Sequence, residues 1–180
     1  MRVPGVDAGP RVLLLGMMGA GKTTVGRELS ARTGWPYLDN DELVALAYGR
    51  PTPDVLAEAG ETGLRAVESA ALGAALAAEP PIVAGVAGGV IDDPGDRERL
   101  RSADAFVVWL RAEIATLAAR VGSGEDRPWL APDPATALAT LYAGRAEHYA
   151  AVADLVLDVD GRTPGELVDQ LLAVLAPGPF

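Results

Sequence analysis

The stretch "RVLLLGMMGAGKTT", residues 11–24, decides how the rest of the chain is read. It opens with a short apolar run consistent with a buried strand. It then enters "GMMGAGKT", residues 16–23, which satisfies G-x-x-x-x-G-K-[ST]. The following "VGRELSART" places apolar residues at helical spacing and closes at Gly34, a helix stop. Strand, glycine-rich turn and helix in that order form the setting in which the motif binds phosphate. The glycines let the backbone curl until its N–H groups point at phosphate oxygens. Lys22 then reaches the β- and γ-phosphates as a point charge, and the Thr23 hydroxyl holds Mg²⁺. An ordinary glycine-rich turn would leave the lysine unexplained. Of the 15 basic residues 14 are arginine, and the single lysine is Lys22. The two side chains differ in geometry and reach, so a lone ammonium here is read as binding a nucleoside triphosphate.

Working outward, strands and helices alternate. Strands are expected at 36–38, 81–86, 105–110 and 155–159, after the first at 11–15. Helices are expected in "DELVALAY", closed by Gly49, and in "TPDVLAEA", with Thr52 as cap and Gly60 as terminator. Further helices are read over 61–79, in an exposed "DDPGDRERLRSA", from 111 through Arg120, in "ATALATLYAGRAEHYAAVA", and in "TPGELVDQLLAVL" with Thr163 as cap. Residues 122–134, rich in glycine and proline, read as a loop, and 1–10 and 176–180 as loose tails around one domain over 11–175. Alternation of this kind means an α/β fold with a parallel sheet covered on both faces. Ligands then bind beyond the carboxyl ends of the strands.

Composition narrows the function. The chain has 180 residues, is 49% apolar and carries a net charge of −10. That charge argues against a nucleic-acid surface. It contains no cysteine, which excludes zinc thiolate sites and a cysteine nucleophile. No apolar run approaches a membrane span, and the start lacks a signal-peptide core, so a cytoplasmic protein is expected. A GTP switch would need a second lysine to read guanine, and motors need more chain. The size fits a small-molecule or nucleotide kinase.

The acceptor side is less explicit. "WPYLDNDELV", residues 35–44, holds Asp39 and Asp41 one residue apart after a strand. Such a pair reads equally as a solvated turn, half a metal site or a grip on hydroxyls. Arg65 has Glu68 one helical turn on, available to orient its guanidinium. Gly88 and Gly89 close the third strand, where bare backbone can approach a ligand. Arg145 lies in a helix one turn before His148, the only histidine, which is read as a partly exposed helix residue.

Taken together, "GMMGAGKTTVGREL", "YLDNDELV", "GETGLRAVE", "AGG", "RPWL", "RAEHYAAVA" and "RTPGEL" resemble the shikimate kinase family in order and spacing over about residues 11–175. The resemblance implies a three-layer α/β/α P-loop kinase fold of the nucleoside-monophosphate-kinase type. It has a five-stranded parallel sheet, a lid at about 122–134 and a helical substrate-binding region. It implies transfer of the ATP γ-phosphate to the 3-hydroxyl of shikimate. On this footing Gly16, Gly19, Ala20, Gly21, Lys22, Thr23 and Thr24 hold the nucleotide, with Arg120, Arg162 and Pro164 flanking adenine. Thr23 and Asp39 belong to the magnesium shell. Asp41 contacts the acceptor hydroxyls and helps deprotonate the attacked one. Arg65 and Arg145 bind the acceptor carboxylate, Gly88 and Gly89 line its pocket, and Arg127 is the lid arginine over the transferring phosphate. Lys22, Asp41 and Arg127 form the catalytic set, and a monomer is expected.

The chain departs from the family pattern at Ala87, where a glycine is usual, at Leu56 and Leu64, where phenylalanines are usual, and at Trp129 in the lid. The nucleotide half is close to the pattern and the acceptor half is loosened. Two other readings therefore stand beside the first: a related kinase of another small hydroxy acid or cyclitol, and a nucleotide-binding regulatory module without turnover.

Overall fold

The computed structural model describes residues 9–122, 130 and 133–176. Arg127, Trp129 and most of the expected lid lie outside the described residues. Among those described, five strands form one sheet: β1 (Arg11–Leu15), β2 (Tyr37–Leu38), β3 (Ile82–Gly85), β4 (Phe106–Arg111) and β5 (Leu155–Asp158). Their order is β2-β3-β1-β4-β5 and every pairing is parallel. β1 is central, with Val12 opposite both Val83 and Phe106. Leu13, Leu14 and Leu15 are fully buried, the near-continuous apolar pattern of a strand covered on both faces.

The helices are α1 (Lys22–Thr33), α2 (Asn40–Tyr48), α3 (Thr52–Ala77), α4 (Pro94–Ser102), α5 (Ile114–Val121), α6 (Pro134–Val152) and α7 (Pro164–Leu175). Gly34 and Gly49 end α1 and α2 in the left-handed conformation, as expected from their position after the last apolar residue. Thr163 caps α7 with a complete capping box.

Two details differ from expectation. Thr52 does not cap α3; Pro51 occupies that position without a side-chain bond. Thr52 is instead the first residue inside the helix, one position past the cap, and its hydroxyl donates to Asp41 Oδ1 at 3.0 Å. Gly60, by contrast, ends a helix as expected: its backbone is non-helical (φ 64°, ψ −171°) and a second helix begins at once, so Thr52–Ala77 is two helices meeting at a kink. The helix α4, read as exposed, buries Leu100 and Asp96. Asp96 accepts from Ser69 Oγ on α3 and from Arg99, each at 2.8 Å.

The main core lies around the sheet. A second, smaller cluster of Val44, Val55, Leu64, Val67 and Ala71 holds α2 against α3. This pair of helices forms a separately packed wall beside the carboxyl ends of β1, β2 and β3.

Candidate active site

A cleft of about 690 Å³ opens beyond those strand ends. Its floor is the loop between β1 and α1. Gly16 has φ 142° and Gly21 φ 97°, values that side chains with a Cβ rarely adopt, and they produce the curl the motif demands. Lys22 Nζ donates to the carbonyls of Gly16 and Met17 at 2.8 and 3.1 Å, so the ammonium is held inside the loop. Arg120 crosses from α5 and donates to the Gly19 carbonyl at 3.2 Å.

The two aspartates separate by environment. Asp39, 9% exposed, caps α2 through the Asp41 amide at 3.0 Å. Its Oδ2 accepts from Thr23 Oγ1 at 2.9 Å and from Tyr37 Oη at 3.0 Å. Donating toward Asp39 leaves the lone pairs of the Thr23 oxygen directed elsewhere. A hydroxyl and a carboxylate side by side are hard oxygen donors of the kind Mg²⁺ takes when it keeps several waters and binds substrate phosphates. No cluster of three or more acidic, histidine or cysteine side chains occurs among the described residues, so an all-protein cage is not what they offer. Asp41, exposed on the first turn of α2, lines the cleft and is oriented by Thr52.

Opposite stand the arginines. Arg65 pairs with Glu68, which is 7% exposed and whose acid is pushed up by burial against the opposing pull of Arg65. Arg145 is 5% exposed, buried where a surface helix position would be ordinary. Its Nε and Nη2 meet Asp92 Oδ1 and Oδ2 at 2.9 and 2.5 Å, a two-point pair. One turn later Tyr149 stacks on Trp109 at 5.5 Å and donates to the Gly88 carbonyl at 2.8 Å. A Cβ on Gly88 would stand 2.8 Å from the Gly16 carbonyl oxygen, and one on Gly89 would overlap the Arg65 guanidinium. The turn after β3 is therefore packed between phosphate loop and arginine. Ala87 fits because its backbone (φ −57°, ψ 134°) is ordinary for any residue.

The structure thus gathers Gly19, Gly21, Lys22, Thr23, Thr24, Asp39, Asp41, Arg65, Gly88, Gly89, Arg120 and Arg145 around one cleft. Gly16 and Ala20 shape the loop without lining it. Arg162 and Pro164 lie outside the lining, with Arg162 bonded to Gln170 on α7. His148 is half-buried, as read from the sequence. Sequence reasoning missed Tyr37 and Asp92. The only sequence signal for Tyr37 was its position two residues before Asp39 on an extended segment, which puts both on one face. Asp92 gave no signal, since its partner is 53 residues away.

The model of a family described as shikimate kinase matches residues 18–176. A shikimate kinase of Frankia casuarinae is 40% identical over 166 residues, covering 92% of this chain and 72% of the relative. One from Stenotrophomonas maltophilia is 36% identical over 172 residues, with 95% and 94% covered. Among solved structures, the shikimate kinase of Acinetobacter baumannii in complex with shikimate superimposes with a TM-score of 0.86 at 29% identity, over 93% of both chains. The match over residues 18–176, with relatives 36–40% identical over most of this chain, places the chain in the shikimate kinase family.

Proposed function

We propose that this enzyme transfers the γ-phosphoryl group of ATP to the 3-hydroxyl of shikimate, giving shikimate 3-phosphate and ADP. The observation that carries the reading is a single cleft lined at one end by Lys22 and Thr23 and at the other by Asp41, Arg65 and Arg145. Phosphoryl transfer needs in-line positioning and neutralisation of charge more than covalent help. The loop amides and Lys22 take the phosphates. Thr23 and Asp39 would hold Mg²⁺, which when bound offsets charge on the transferring group. Asp41 takes the attacking hydroxyl, and the two guanidinium groups take the acceptor carboxylate. Arg127 is assigned to the transferring phosphate, and Arg162 and Pro164 to adenine. The protein acts as a cytoplasmic monomer and binds neither nucleic acid nor membrane. Light scattering should return about the chain mass of 18.5 kDa.

The test is ADP release with shikimate against a panel of cyclitols and gluconate. Shikimate should give the highest kcat/KM. A better acceptor in the panel would move the reading to a related kinase, a possibility that Leu56 and Leu64 in the lining favour over a tight aromatic clamp. No acceptor-stimulated turnover at all would end both kinase readings. Asp41→Asn should abolish turnover while ATP affinity stays nearly unchanged, and loss of ATP affinity alone would overturn its assignment.

A further inference from the structure

Resting on the reading above, Arg145 has a partner that no acceptor supplies. All three of its nitrogens are engaged. Nε and Nη2 are forked onto Asp92, and Nη1 faces Met17 Sδ at 4.0 Å. Asp92 ends the 3-10 turn Gly88–Asp92 and lines the same cleft. The two partners differ in burial: the Arg145 side chain is 6% exposed and that of Asp92 is 43% exposed. A buried guanidinium without an anion is strongly unfavourable, whereas a half-exposed carboxylate returns to water at little cost. The two-point geometry is also the one a ligand carboxylate would make with Arg145.

We infer that Asp92 is a specificity-determining residue, a resident counter-ion that an acceptor carboxylate must displace from Arg145. It compensates the Arg145 charge and holds the side chain at the cleft before the acceptor arrives. It also weakens every acid acceptor by the strength of the bond that acid replaces. A neutral acceptor displaces nothing, so it loses less here than in a cleft whose arginine has no resident carboxylate. The effect is on binding common to ground and transition states, and it therefore belongs in KM and not in kcat.

The experiment compares wild type, Asp92→Asn and Asp92→Ser with shikimate and with its neutral methyl ester. Both variants should lower the KM for shikimate, by about tenfold for a bond of ordinary strength, with kcat held within about twofold. The KM for the ester should stay put. A higher or unchanged shikimate KM in folded variants would overturn the inference, because Asp92 would then only hold Arg145 in place for the acceptor. The acid's advantage over the ester, to which Arg65 also contributes, should widen in both variants relative to wild type, and a ratio that stays put would also overturn the inference. Absence of any turnover by wild type on shikimate would instead strike the proposed function itself, which keeps the two failures distinct.

Discussion

Tyr37 shows how far one side chain can organise this site. Burial, with further help from Asp39, pushes its phenol well above the ordinary tyrosine range, so it stays a donor at any working pH. Its hydroxyl shares Asp39 Oδ2 with Thr23 and so helps fix the carboxylate. Room for the ring comes from two glycines. A Cβ on Gly26 would stand 2.7 and 2.9 Å from Cδ2 and Cζ of Tyr37, and one on Gly85 would stand 2.6 Å from Oη. Beyond the hydroxyl, the next atom near that second Cβ is Tyr37 Cζ at 3.6 Å, an ordinary contact. Gly85→Ala should therefore destabilise the protein by about 1–3 kcal/mol, the usual range for overpacking. On a Tyr37→Phe background the same change should cost much less. Urea unfolding of the four proteins measures the coupling directly. An equal cost on both backgrounds would mean that the hydroxyl is not what fills the space.

Among the elements, those closed by local chemistry were the most legible. Gly34, Gly49 and Thr163 act within one turn of the chain, so their roles follow from neighbours that sequence displays. Thr52 was misread because the helix begins one residue earlier than its sequence suggests, with Pro51 at the cap, and its hydroxyl bonds Asp41 on another helix. Gly60 belongs with the legible ones: its backbone leaves the helix where the sequence puts a terminator, and a second helix follows. The helix α7 offers the cleanest test of local chemistry. Glu166 Oε2 accepts from the Thr163 amide at 2.7 Å, and Thr163 Oγ1 accepts from the Glu166 amide at 3.3 Å. Thr163→Ala should cost about 1 kcal/mol at neutral pH, enough to loosen the packing of Leu167 and Leu171. The backbone amide of Thr163, and then its side chain, hold the Glu166 acid below its ordinary 4.5. A depressed acid contributes stability that is present above its unfolded value and lost as pH falls through the folded one. The gap between wild type and Glu166→Gln should thus be full above the ordinary 4.5 and close as pH falls below it through the depressed value. Melting curves taken across that interval check it, and a gap that persists in acid would show that the carboxylate plays no part in the cap.

For the molecule as a whole, alternation of strands and helices gave away a parallel sheet, but not the order in which the strands lie. That order is what makes one cleft from distant segments, by setting β3 between β1 and β2. It is also why Arg145 looked like a surface residue. The helix α6 shows nothing locally unusual around it, and burial comes from Asp92, Met17 and the turn after β3. Nucleotide and acceptor would then draw on separate parts of the fold, α1 for one and α3 with α6 for the other, meeting at the Asp39–Asp41 turn and where Arg145 and the turn after β3 pack on the phosphate loop. Ligand that binds only the folded state stabilises it by about 2.7 kcal/mol at a hundred times its dissociation constant. For a chain of this size that amounts to a rise in Tm of about 5–10 °C. ADP and shikimate should each produce such a rise in wild type. Arg65→Ala should erase the rise from shikimate and leave that from ADP, and Lys22→Met should do the reverse. If either substitution removed both rises, the cleft would act as one undivided site, and the division of labour between the two ends of the sheet would have to be given up.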